Sequence, residues 1–189
     1  MIALINSFLL VFVSEMGDKT QLLALVLAAR FRKPWTVMAG IFVATILNHA
    51  LAAYVGLRIS DTFSEKTMML ILAASFFVFG LWILVPDKEG EVKETGHFGA
   101  FVTTVISFFL AEMGDKTQLA TIALGAKYTN TVMVTFGTTL GMMASNAIAI
   151  FFGEKFLSRI PMQWVRRIAC AMFMIFSILI LIGYFMRAN

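Results

Sequence analysis

Charged side chains are scarce: Asp, Glu, Lys and Arg make up 14% of the 189 residues, against about 25% in a soluble domain. Apolar residues reach 60%, where about 45–50% is usual, and mean hydropathy is +0.87. A water-soluble globule of this length buries only about 70% of its unfolded surface, so much of that excess would face water. A soluble enzyme is excluded, and so is a disordered chain. One cysteine, Cys170, lies in an apolar run, which excludes an intrachain disulfide and leaves the redox compartment unread. Net charge is +4, yet no basic cluster is dense enough to suggest nucleic acid. The N-terminus has no basic leader region and no convincing cleavage site. Its apolar run continues past Glu15 toward Ala29, so a retained first helix is expected rather than a cleaved signal.

What is present is a set of apolar runs. At about 20 residues per helical span, polar breaks divide the chain into six: about Ile2–Ala29, Trp35–Leu57, Thr67–Val85, Gly99–Ala126, Thr131–Gly153 and Met162–Met186. The expected fold is an all-α integral membrane protein in one transmembrane domain. Trp35, Trp164 and Tyr184 near span ends read as interfacial anchors.

The chain repeats itself. Glu15-Met16-Gly17-Asp18-Lys19-Thr20-Gln21-Leu22 recurs unchanged as Glu112-Met113-Gly114-Asp115-Lys116-Thr117-Gln118-Leu119, an offset of 97 positions. The same offset maps Gly40 onto Gly137, Ala44 onto Gly141, Asn48 onto Ser145, Ala52 onto Ala149 and Gly56 onto Gly153. Such rows of small residues let membrane helices approach closely. Repeat 1 is assigned to residues 1–86, a solvated acidic linker to 87–98 (with His97), and repeat 2 to 99–189.

Three spans per half is an odd number, so the second half enters from the opposite side. The six helices are expected to form two inverted three-helix repeats related by a pseudo-two-fold axis in the membrane plane. The first, third and fifth loops carry nine basic residues, Arg30, Arg32, Lys33, Lys88, Lys93, Lys155, Arg159, Arg166 and Arg167. The opposite side carries four, Arg58, Lys66, Lys127 and Arg187. The positive-inside rule then places both termini outside the cytoplasm.

Two acidic pairs, Glu15 with Asp18 and Glu112 with Asp115, fall mid-span. A charge there costs at least about 2.5–3.5 kcal/mol, and an intramembrane acid marks an ion pathway by default. The competing structural reading pairs Glu15 with Lys19 and Glu112 with Lys116, four apart on a helix, but intramembrane ion pairs rarely serve stability alone. Positions three apart share a face of a regular helix. If the halves face each other, four carboxylates therefore converge. Gly17 and Gly114 permit a kink or local unwinding that would free backbone carbonyls. Thr20, Gln21, Thr117 and Gln118 add neutral oxygens one turn on.

Four carboxylates against two lysines, Lys19 and Lys116, leave two negative charges, which one divalent cation neutralises. An all-oxygen shell suits magnesium, calcium or manganese, and no Cys or His in the motif argues against zinc or copper(I). Crowded carboxylates without metal hold protons instead. A site holding either one divalent cation or about two protons has the chemistry of a cation/proton antiporter, with no resident cofactor. Met16 and Met113 would favour manganese if a thioether reached the ion; otherwise they face lipid or core. Asn48 is open to a ligand or a packing role. His49 is a candidate proton relay, although its counterpart is Asn146.

The paired Glu-x-Gly-Asp-Lys-Thr motifs, in the first and fourth of six spans, resemble a family of small membrane cation exporters. That family includes bacterial manganese exporters of the MneA type and Golgi calcium/manganese–proton exchangers. The resemblance implies manganese(II) export from the cytoplasm against protons, with Glu15, Asp18, Glu112 and Asp115 essential, and the short linker looks like the bacterial inner-membrane form. Alternatives are calcium/proton antiport at the same site, an intramembrane metal-dependent enzyme, and a passive channel. An enzyme would want an arginine or nucleophile beside the acids, and a channel would bind a divalent ion too tightly among four carboxylates. The expected partners are the metal ion and the lipid bilayer, with monomer and homodimer both open. Because the second half manages with Asn146, His49→Asn should only slow metal export; export measured across pH checks this, and complete inactivity would make His49 an essential relay.

Overall fold

The computed structural model describes residues 1–85, 99–157 and 161–188; the expected linker at 87–98 lies outside the described residues. Eight helices account for nearly all of these, and no strand occurs among the described residues: α1 (Ile2–Glu15), α2 (Lys19–Phe31), α3 (Pro34–Ser60), α4 (Glu65–Trp82), α5 (Ala100–Glu112), α6 (Lys116–Tyr128), α7 (Thr131–Leu157) and α8 (Met162–Ala188). Among the described residues, four helical stretches are long and apolar enough to cross a membrane: Pro34–Ser60, Glu65–Trp82, Thr131–Gly153 and Gln163–Met186. The first and fourth expected spans are not continuous helices. Each is divided at its acidic motif, into pieces of 14 and 13 residues in the first half and 13 and 13 in the second.

Local signals repeat at the same offset. Both α2 and α6 end on a left-handed residue, Arg32 (φ 52°) and Thr129 (φ 48°). Their N–H groups close onto Ala28 O and Gly125 O, each at 2.9 Å, satisfying a carbonyl the helix end would orphan. Pro34 opens α3, where its missing N–H costs no helical bond. Ser64 caps α4 by accepting from Thr67 N at 3.3 Å.

Each half is held by the other. α1 and α2 pack on α7, α5 and α6 on α3, α3 crosses α7, and α4 packs on α8. The small-residue rows are where these helices meet. A Cβ on Gly40 would lie 2.7 Å from Thr104 Cβ in α5, and one on Gly56 would lie 2.0 Å from Ile122 O in α6. In the other half, a Cβ on Gly137 would lie 2.5 Å from Leu4 O, and one on Gly141 2.7 Å from Phe8 O, both in α1. Backbone touches backbone at these points, as close membrane packing requires. The order of the contacts also fixes direction: α3 runs alongside α5 and α6 in the same sense, and α7 runs in the same sense as α1. The α4–α8 pair closes one flank with rings, Phe76 lying 6.1 Å from Phe173 and 5.5 Å from Phe176. There Ser177 Oγ donates to Ala73 O at 2.8 Å.

The outward faces are apolar. Leu51, Leu110, Leu179 and Phe185 are each more than half exposed, a surface suited to lipid rather than water. Replacing Gly56 by alanine should lower stability by about 1–3 kcal/mol through overpacking, read as a drop in thermal unfolding midpoint of the detergent-solubilised protein. Gly99→Ala, whose Cβ would meet nothing within 4 Å, should leave that midpoint unchanged.

Candidate metal centre

The motif folds as a turn between two short helices. α1 ends at Glu15, Met16 is extended at φ −65° and ψ 115°, Gly17 has φ +79°, and Asp18 N donates to Glu15 O at 3.2 Å. Those angles and that bond make a type II β-turn, whose third residue must take positive φ, so glycine is the residue that fits. The second motif repeats it: Met113 at φ −64° and ψ 122°, Gly114 at φ +74°, and Asp115 N to Glu112 O at 3.2 Å. The expected shared helical face is therefore corrected. Glu15 and Asp18 come together as the two ends of a turn, not as neighbours on a helix.

A turn at this depth leaves backbone groups without helical partners, and the motif supplies them. Gln21 Oε1 accepts from Gly17 N at 2.8 Å, and Gln118 Oε1 accepts from Gly114 N at 2.7 Å. Gln21 Nε2 also donates to Ser145 O and Oγ at 2.7 and 2.8 Å, tying the first turn to α7. The glutamine oxygens expected as possible ligands thus each accept one bond that holds a turn. Breaking the spans also aims two kinds of helix end at one place. The C-termini of α1 and α5 carry Glu15 and Glu112, and the N-termini of α2 and α6 carry Asp18 and Asp115 as caps.

Carboxylate oxygens of Glu15, Asp18 and Asp115 lie within 4.8 Å of one another, so the two motifs meet. Glu15 and Asp115 are buried and Asp18 is half-buried. Glu15 accepts from Thr20 Oγ1 at 2.7 Å and, across the halves, from Thr117 Oγ1. Glu112 sits outside that trio but faces the charges of Glu15 and Asp115. It accepts from Thr45 Oγ1 at 3.2 Å, while its Oε2 has no hydrogen-bond partner. Lys19 Nζ lies 3.6 Å from Asp115 Oδ1, so its ion pair crosses between halves instead of running to Glu15 along one helix. Lys116 Nζ donates to Val85 O at 2.8 Å and lies over the Trp82 ring, which carries that expected counter-charge toward the end of α4.

Other expected residues divide. Asn48 is buried in α3, donates to Phe109 O at 3.1 Å, and leaves Oδ1 unpartnered. Asn146 donates to Met142 O at 3.0 Å and also leaves Oδ1 unpartnered. His49 is buried with Nδ1 unpartnered. Met16 is half-buried on the wall of a cleft, whereas Met113 is 57% exposed. The cleft reaches Glu15, Asp18 and Asp115 between Ile83 and Val85 of the α4 end and Arg166 of α8. Sequence reasoning placed the Thr117 oxygen near the acids but missed that it reaches across to Glu15, and it missed the hydroxyl of Thr45 and the place of Val85 and Arg166 on the cleft. The Met-Gly pair in each motif was the available signal for the turns.

Comparison with known proteins matches residues 3–91 and 100–187 to the family described as "Divalent cation/proton antiporter GDT1". A candidate manganese exporter of Vibrio cholerae is 41% identical over 169 residues, covering 89% of this chain and 84% of its own length. GDT1-like protein 3 of Arabidopsis thaliana is 30% identical over 204 residues, covering 93% and 69%, and a GDT1-like protein of Synechocystis is 30% identical over 196, covering 90% and 92%. No solved structure matches the chain. Replacing Gln21 by leucine should unpair Gly17 N–H and lose both bonds to Ser145, costing about 1–3 kcal/mol in detergent unfolding. Gln118→Leu, whose glycine partner is exposed, should cost less in the same measurement.

Proposed function

We propose a transport cycle on one premise: the chain belongs to the GDT1 family of divalent cation/proton antiporters, a transporter family and not a family of enzymes. In this reading it exports manganese(II) from the cytoplasm in exchange for protons, across a bacterial inner membrane, through a site built from Glu15, Asp18, Glu112 and Asp115. The observation that carries it is the meeting of carboxylates from both motifs within 4.8 Å. Three acids that close repel unless a cation or protons neutralise them, and hard oxygen donors suit a divalent ion. Glu112, with one oxygen unpartnered beside that group, is the fourth arm. The α1 and α5 C-termini add carbonyl dipoles that favour a cation.

The membrane path follows from the same reading. α1 with α2, and α5 with α6, each cross as one broken span, giving six spans in two inverted repeats with both termini outside. The shared direction of α3 with α5–α6, and of α7 with α1, supports this, since α3 returns across the membrane after α2. Broken spans with the site at the break are the arrangement by which inverted-repeat transporters place a cation at mid-membrane. The cleft beside Val85 and Arg166 opens on the side of the basic loops, so the described state is the one that takes metal from the cytoplasm. The Vibrio relative's description as a manganese exporter supports the choice of metal. Calcium is the second reading, because the grouped donors are all oxygen and Met113 is turned outward.

Asp18→Asn and Asp115→Asn should each reduce export to background while the protein still inserts and folds. Wild-type inverted vesicles with an acidic interior should take up manganese, and collapsing the pH gradient should stop the uptake. Because protons compete for the same oxygens, metal binding should tighten as pH rises and weaken as it falls. A panel of divalent ions at two pH values separates manganese from calcium. Normal export by either Asn variant, or uptake indifferent to the gradient, would overturn the reading.

A further inference from the structure

Among the described residues, several buried hydroxyls bond back along their own helix, others reach across to the acids or a neighbouring helix, and a few, with Ser7 on α1, have no partner. Thr104, Thr121 and Thr138 each donate to the carbonyl four residues back, at 2.7, 2.8 and 2.9 Å, the usual way a threonine satisfies itself within a helix. Along the first part of α7, Thr131, Thr135 and Thr139 do not; each has Oγ1 buried and without a partner. Thr135 is 6% exposed and Thr139 1%. Asn146, fully buried further along α7, leaves its Oδ1 in the same condition. Positions four and seven apart fall on one helix face, so these four polar atoms lie along one face of α7. An unpartnered hydroxyl buried in an apolar setting is destabilising. A row of them is stable when water supplies the missing bonds.

The file also has ends. Thr131 stands at the start of α7, one residue from Asn130, whose Oδ1 caps Met133 N at 3.0 Å. Asn146 stands beside Ser145, which receives both bonds from Gln21, the residue that holds the Gly17 turn. The opposite approach to the carboxylates is the cleft at Val85 and Arg166. The repeat offset places Pro34, Met38 and Phe42 where the second half has Thr131, Thr135 and Thr139, so the file belongs to one half alone. It is not demanded by the packing that both halves share.

We infer that Thr131, Thr135 and Thr139, continued by Asn146, form a hydrated file that carries protons between the outer end of α7 and the carboxylate cluster. The inference rests on the antiport reading and gives it separate routes: the metal reaches the acids through the cleft, and protons reach them through α7. A proton entering at Thr131 hops along water and hydroxyl oxygens and ends on a carboxylate oxygen that the departing metal has freed. It then leaves toward the cleft when the next ion displaces it.

The test uses the full chain in proteoliposomes, with manganese chloride as the probe and a pH-sensitive dye inside. The paired variant Thr135→Val with Thr139→Val keeps shape and removes both hydroxyls. It should slow metal-driven proton movement at least threefold and leave manganese binding in detergent unchanged. Thr135→Ser with Thr139→Ser should restore the rate, and Thr138→Val, whose hydroxyl is already bonded, should match the wild type. An unchanged rate in the valine pair, loss of binding in parallel with rate, or failure of the serine pair to recover would each overturn the file. A second measurement reads hydration directly: Thr139→Cys in a Cys170→Ser background should react with a small water-soluble thiosulfonate, whereas lipid-facing Phe136→Cys should not. Protection of Thr139→Cys would overturn the proposal even if the valine pair failed to fold. A wild type that moves no protons against metal would sink the antiport reading itself, and the labelling would then decide the file on its own.

Discussion

The structure depends on turning the backbone inside an apolar span without leaving its polar groups bare. In lipid each unsatisfied N–H or C=O costs several kcal/mol, so non-helical backbone persists only where protein or water completes it. Here the completion is local and doubled. A type II turn closes Glu15 onto Asp18 and Glu112 onto Asp115, and a glutamine three residues beyond each aspartate accepts the exposed glycine N–H. The acids stand at the two ends of these turns, and the Gly and Gln of each motif are the condition for them. Two glycines at φ +79° and +74° would each strain a residue carrying a Cβ.

That constraint sets the packing. The four short helices of 13 or 14 residues each lie along a long helix of the other half. α3 and α7 are those long helices, and their glycines are where they touch backbone. Threonine hydroxyls then cross the same contacts: Thr117 of α6 reaches Glu15 and Thr45 of α3 reaches Glu112. The site is consequently shared between halves, since each glutamate is steadied by a residue from the opposite repeat. Lys19 and Asp115 add an ion pair of the same crossing kind.

The repeats are alike in sequence and unlike in surroundings. Lys19 pairs with Asp115, while Lys116, its counterpart, reaches Val85 at the end of α4. Glu15 belongs to the close trio and Glu112 stands beside it. α4 also touches α6 and α8 touches α1, with no matching contacts of α8 on α2 or α4 on α5 of comparable extent. The two halves therefore share a motif but not its surroundings. The hydroxyl file on α7, which has no partner on α3, is a second and permanent asymmetry, written in the sequence itself.

Membrane class, the doubled motif, the small-residue rows and the four acids were legible in the sequence, because each rests on a local property: hydropathy, identity at fixed offset, or residue size. The motif's glycine was legible as a place to unwind, but its turn type was not, since that depends on the glutamine and helix ends closing around it. Only the tertiary structure decided that three carboxylates draw together while Glu112 stands alongside, that Lys116 leaves for α4, and that Met113 faces outward. These outcomes depend on which residues of one half meet which of the other, a relation between positions about 97 apart that no local pattern encodes. Sequence named the acids because side-chain identity is local; their distances were set by helices pressed together at glycine.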